Sequence, residues 1–95
     1  MSVKVIILRR VPPELTDKIV PLLIELRSHA LEQPGYISGE TLVRVDDPQE
    51  LLVISTWDSL ESWDRWLGDP VRAEIQGRVD ACLERETLYQ VYNQS

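Results

Sequence analysis

Three tryptophans, Trp57, Trp63 and Trp66, fall within ten residues of one another, and the chain carries a single histidine, His29. An indole can wall a cavity and donate its N–H to a ligand. An imidazole titrating near neutrality can take the proton of a phenol. An arginine such as Arg9 can partner an anion so formed. Each has a plainer reading. Trp63 shares a helical face with Leu60 and Leu67 and reads as core. Trp57 could serve the core or an interface, and Trp66 lies at the edge of its stripe. His29 flanks the apolar stripe of its helix near the C-terminus, where a cation is mildly favoured.

Other chemistries find less support. One histidine leaves no multi-histidine metal site. Asp46-Asp47, Asp58, Glu61, Asp64 and Asp69 show no ordered ligand loop and read as solvated turns and helix caps, so no metal is expected. Cys82 reads as a small buried hydrophobe. No phosphate-binding glycine loop, Ser-His-Asp order or nucleotide fingerprint is present.

The elements that must position these residues follow from periodicity. Val3 to Arg9 reads as a strand ended by Val11-Pro12-Pro13. From about Glu14 to Gln33, Leu15, Ile19, Leu22, Leu23, Leu26 and Ala30 recur at helical spacing, with Pro21 expected to kink or divide the helix. Pro34-Gly35 stops it. Tyr36 to Val45 and Glu50 to Trp57 read as strands joined through Asp46-Asp47-Pro48 as a hairpin. Asp58 or Ser59 caps a short helix ending near Gly68, and Asp58 with Glu61 has capping-box spacing. Asp69-Pro70 opens a further helix carrying Val71, Ile75, Val79 and Cys82. Arg85 to Tyr92 reads as the last strand, with Asn93 in the tail. The order predicts an α+β fold, the ferredoxin-like βαββαβ plait with an antiparallel sheet, over one domain spanning residues 1–95.

A sheet with helices on one face should alternate apolar and polar residues. These strands are apolar on both faces: Val3, Val5 and Ile7 against Ile6 and Leu8, then Leu51, Val53 and Trp57 against Leu52 and Ile54. The helices can cover one face only. A second copy packed sheet to sheet is the simplest cover, so a homodimer through the sheet face is expected. In 95 residues with a net charge of −6 there is no basic patch, and nucleic acid is not an expected partner. Val5-Ile6-Ile7-Leu8 is too short an apolar run for a membrane span. A lone cysteine leaves no disulfide framework, and a cytoplasmic location is expected.

The run Pro34-Gly35-Tyr36-Ile37-Ser38-Gly39-Glu40, the hairpin end Ile54-Ser55-Thr56-Trp57 and the helix Leu60-Glu61-Ser62-Trp63-Asp64-Arg65-Trp66-Leu67 together resemble the antibiotic biosynthesis monooxygenase (ABM) domain. The resemblance implies a dimeric α/β barrel with a pocket between helices and sheet in each subunit. It implies a small aromatic or apolar ligand and cofactor-free oxidation of a phenol or quinol, with no cofactor and no metal. Heme-degrading relatives carry an Asn on the first strand, a Trp before a Leu, and a His ten residues after that Trp. Trp66-Leu67 matches the Trp, while Ile7 and Gln76 stand at the other two positions. The site residues expected are therefore Trp66 and His29 for catalysis, with Ile7, Arg9, Tyr36, Gln76 and Tyr89 lining the ligand pocket. The alternative is a non-catalytic dimeric barrel, a binding or structural module; heme degradation is a third reading.

Overall fold

Alternation on a pleated strand sets the inner face of the molecule. In the computed structural model, which describes residues 1–95, β1 (Val3–Arg10) buries Val3, Val5, Ile7 and Arg9 and turns its even-numbered residues the other way. Its β-branched residues suit the pleat. A 3-10 turn at Pro13–Leu15 leads into α1 (Thr16–Leu31). Pro21 does not divide that helix. Both Pro21 and Asp17, whose carbonyl loses its partner, are exposed, so water can take the lost bond. Ile19 and Leu26 meanwhile stay buried on the far side and hold the helix to the sheet.

β2 (Tyr36–Arg44) and β3 (Asp47–Trp57) form the hairpin. Its turn is Val45-Asp46, shorter than Asp46-Asp47-Pro48, and Arg44 pairs directly with Asp47. Pro48 is tolerated inside β3 because it lies beyond Glu50, the last residue paired with β1, and within the register shift opposite Val43 and Arg44. α2 (Leu60–Leu67) is capped by Ser59, whose hydroxyl accepts from Ser62 N at 3.2 Å. Asp58 and Glu61 do not form the expected box. Asp58 Oδ1 instead accepts from the hydroxyls of Ser62, at 2.6 Å, and Ser59, at 3.1 Å.

α3 (Pro70–Leu83) starts where Asp69-Pro70 predicts, with Asp69 Oδ1 accepting from Val71 N and Arg72 N at 2.9 and 3.0 Å. Its phase is a correction to the sequence reading: Val71 is 46% exposed and Arg72 only 6%. β4 is confined to Tyr89–Asn93 rather than Arg85–Tyr92, and Asn93 pairs with Val3 instead of trailing. Strand order is β2-β3-β1-β4, antiparallel throughout. This is the ferredoxin-like α+β plait, with α2 and α3 together in the second helical position. The helices pack Ile19, Leu26, Trp63, Trp66, Ile75 and Val79 onto Val3, Val5, Ile7 and Trp57 to make the core. The opposite face presents Ile6, Leu8, Leu42, Leu52, Ile54 and Tyr92, of which Leu8 is 60% exposed.

Gly35, at φ +90°, turns the chain from α1 into β2. A Cβ there would collide with Ser62 Oγ and Asp58 Oδ1, and its carbonyl accepts from Asp58 N at 2.8 Å. Gly35→Ala is expected to cost about 3 kcal/mol through left-handed strain and collision, read as a lower urea midpoint at unchanged m-value. The Ser62 hydroxyl, helped by Ser59 and Arg65 against partial desolvation, holds the Asp58 carboxyl below the usual range. The folded form is thus the stronger acid. Its contribution is complete above the unfolded pKa of about 4 and fades as pH falls through the folded value. Thermal midpoints taken from about pH 6 to about pH 2 should fall less steeply for Asp58→Asn than for the natural chain.

Candidate functional site

Between the inner face of the sheet and the helices lies a cavity of about 130 Å³. The chain has three tryptophans, three tyrosines and no phenylalanine, and all of these rings except Tyr92 line it. Trp57 is their hub. It meets Tyr36 edge-on at 5.3 Å and Trp63 at 5.9 Å, and stacks on Trp66 at 6.4 Å between ring centres. Trp63 in turn meets Tyr89 at 5.4 Å. Such offset and edge contacts add to the area buried and hold the rings in place. α1 closes the apolar wall with Leu23, Leu26 and Ala30, and β1 supplies Ile7.

The polar end is built by β1, α3 and the segment before β4. Arg9, 7% exposed, continues the inward row of β1, and Arg72, 6% exposed, lies on the first turn of α3. Arg9 Nη1 donates to Thr87 Oγ1 at 3.2 Å and Nη2 to Gln76 Oε1 at 3.3 Å. Gln76 Nε2 donates to Asp80 Oδ1 at 2.8 Å and to Thr87 Oγ1 at 2.7 Å, while the Thr87 hydroxyl donates to Asp80 Oδ1 at 2.6 Å. Arg72 Nη1 donates to the Leu67 carbonyl at 3.1 Å and Nη2 to the Tyr89 hydroxyl, and its guanidinium lies 5.0 Å from the Tyr89 ring centre. Burial lowers the pKa of Arg9, opposed by Asp80. Burial and then the charge of Arg9 lower that of Arg72, opposed by Asp80 and Asp69. Both guanidiniums nevertheless remain cations at neutral pH.

Six of the residues named from sequence, Ile7, Arg9, Tyr36, Trp66, Gln76 and Tyr89, meet on this one cavity. His29 does not. α1 turns Leu23, Leu26, Arg27 and Ala30 toward the cavity, and His29 falls half-buried beside that stripe. Sequence reasoning missed Arg72, and it read Trp57 and Trp63 as packing residues rather than cavity walls. A signal for Arg72 existed: Arg72, Gln76, Val79 and Leu83 recur at helical spacing, so the buried stripe of α3 carries two polar side chains. Taking Val71 as its first member hid them.

The ABM family profile, described as antibiotic biosynthesis monooxygenase, matches residues 2–78. This chain belongs to that family. A conserved protein from Methanosarcina mazei Go1 has a similar structure, with a TM-score of 0.90 at 22% identity over 100% of this chain and 94% of that one. Rv0793 from Mycobacterium tuberculosis superposes with a TM-score of 0.86 at 20% identity, covering 100% and 96%. SnoaB, a cofactor-independent oxygenase from Streptomyces nogalater, gives 0.81 at 14% identity, covering 99% and 93%. At these identities the likeness speaks for the fold. The search of curated proteins finds no match to this chain.

Thr87 serves Arg9, Gln76 and Asp80 at once. Thr87→Val keeps its shape and removes all three bonds, and should destabilise the chain by about 1–3 kcal/mol, measured by urea denaturation. A loss below a few tenths of a kcal/mol would show that water replaces the hydroxyl without cost.

Proposed function

We propose that this chain binds a small aromatic molecule in the cavity beside Trp66 and oxidises it with O₂ as a monooxygenase of phenol- or quinol-type rings. The observation that carries this reading is the cavity itself, in which five aromatic rings enclose a space whose polar end holds two buried cations. A designed cavity of roughly 150 Å³ accepts benzene, so about 130 Å³ suits one aromatic ring. In such a reaction an activated ring C–H becomes C=O. One oxygen atom enters the ring, the other leaves as water, and the substrate supplies all four electrons.

The chain's own residues would bind, orient and exclude water. Trp57 commits its indole N–H to Ser55 Oγ at 3.1 Å. That of Trp66 has no protein acceptor, and because no fully buried side-chain nitrogen or oxygen lacks a partner, it borders open space and can donate to a ligand. Arg9 would stabilise the phenolate that forms on proton loss. Ile7, Tyr36, Gln76 and Tyr89 would hold the ring. His29, away from the cavity wall, has no part in this reading.

The second reading is a binding module without chemistry. Favouring it, no histidine lies on the cavity wall, and Ile7 and Gln76 occupy the positions where heme-degrading relatives carry Asn and His. In either reading the working form is a homodimer joined through the outer sheet face. Ile6, Leu8, Leu52 and Ile54 form its apolar centre, and Lys4, Arg10, Glu40 and Glu50 lie on the same face. Charges of both signs around an apolar centre allow the face to complement itself about a two-fold axis.

Light scattering is expected to give twice the 11.0 kDa chain mass, with Leu8→Asp shifting the mass toward the monomer. A monomeric natural chain at micromolar concentration would overturn the dimer. Oxygen uptake with a panel of monocyclic phenols, quinols and anthrones separates the two functional readings. Turnover that drops at least about a hundredfold in Trp66→Ala, a change in the range of a lost transition-state donor, supports the oxygenase. No turnover with any member supports the binding module.

A further inference from the structure

We propose that the cavity selects an anion, a single aromatic ring bearing a carboxylate, which Arg9 and Arg72 hold together; this deepens, and rests on, the small-molecule reading above. The first observation is a charge without a partner. Every ion pair in the chain is made by Arg10, Arg44 or Arg78, all at the surface. Arg9 and Arg72, at 7% and 6% exposure, make none. A buried charge is costly unless it is paired and hydrogen-bonded. Three of the chain's ten cations, Arg9, Arg27 and Arg72, line one apolar cavity, and the two without an exposed surface are Arg9 and Arg72.

The second observation is the balance around them. Asp80 is the one carboxylate whose field reaches both guanidiniums, and its Oδ1 already accepts from Gln76 and Thr87. Farther out, exposed Arg27 also lines the cavity and donates to the Gly39 carbonyl at 3.2 Å. Asp69 opposes the charge of Arg72 from the start of α3. Yet no carboxylate is ion-paired with either guanidinium, and the polar end offers unpaired cations in a protein of net charge −6. A ligand carboxylate would supply the ion pair that both guanidiniums lack.

The third observation is donor capacity. A guanidinium carries five N–H donors in a planar fork. Arg9 uses two bonds and Arg72 two, all to neutral acceptors. Neither Nε has a protein acceptor, and since no fully buried nitrogen is left without a partner, those donors border open space. Planar forks match the geometry of a carboxylate better than that of a neutral carbonyl or hydroxyl. Burial lowers the pKa of both arginines, and the charge of Arg9 lowers that of Arg72 further; a bound anion would favour the charged form of each.

All three tryptophans line the cavity, so their fluorescence reports occupancy. Titration with benzoate, benzamide and acetate near neutral pH separates charge from ring. Benzoate is expected to bind at least about tenfold more tightly than benzamide, in keeping with charge-assisted hydrogen bonds, and more tightly than acetate, which lacks the ring. Arg9→Gln and Arg72→Gln should each bring benzoate down to the benzamide level. Benzamide binding within about threefold of the natural chain, a margin inside ordinary mutational scatter, would show that the cavity of each variant is intact. Equal affinity of the natural chain for benzoate and benzamide would overturn the anion preference while leaving an aromatic pocket. A preference for benzoate that survives both substitutions would overturn the assignment to these arginines. Failure of both rings to bind would overturn the small-molecule reading and the anion preference with it.

Discussion

Trp57 stands where β3 ends, 1% exposed, and touches the ring of Tyr36 from β2 and those of Trp63 and Trp66 from α2. Its backbone pairs with Val3 on one side and Tyr36 on the other. One side chain therefore ties the three long strands to the short helix. The rings pack edge-on and offset around this indole, and the cavity lies beside them. Gly35 makes the arrangement possible, because only a residue without a Cβ can turn back into β2 under Ser62 and Asp58.

The apolar rings would be a passive container without the row of side chains next to them. On β1 the period of two that buries Val3, Val5 and Ile7 also buries Arg9. On α3 the cap at Asp69 and the burial of Ile75 and Val79 bring Arg72 and Gln76 inward. Neutral acceptors, namely a carbonyl, a carboxamide, a phenol and an alcohol, then hold both guanidiniums without cancelling their charge. Their field acts in a space of low polarity, where it is far stronger than in water. The outer face of the same sheet obeys the opposite logic. There the period of two lines up Ile6 and Leu8 beside Leu52 and Ile54, and the chain has no helix left to cover them.

Much of this fold can be read from the amino-acid order. β1, α1, α2 and the start of α3 fall close to where periodicity, prolines and caps put them, because those signals act over a few neighbouring residues. The differences arise where distant contacts prevail over local preference. Pro21 stays inside α1 because burial on the opposite side outweighs one lost hydrogen bond at an exposed position. Pro48 joins β3 because no partner strand demands its missing donor. Residues 85–88 leave the ladder, and Thr87 instead uses its side chain to bind Arg9, Gln76 and Asp80.

The candidate site shows the same division. Sequence alone determined that the rings cluster around residues 57–66, that Arg9 shares a face with the core residues of β1, and that only one histidine is available. These are matters of composition and short-range period. Tertiary structure alone decided that Arg72 rather than Val71 faces inward, that Tyr36 and Tyr89 from opposite ends of the fold share one wall, and that His29 lies beside it. A helix can rotate by one residue at little local cost, so its phase is set by what it packs against. Here that is a sheet whose inward row ends in an arginine.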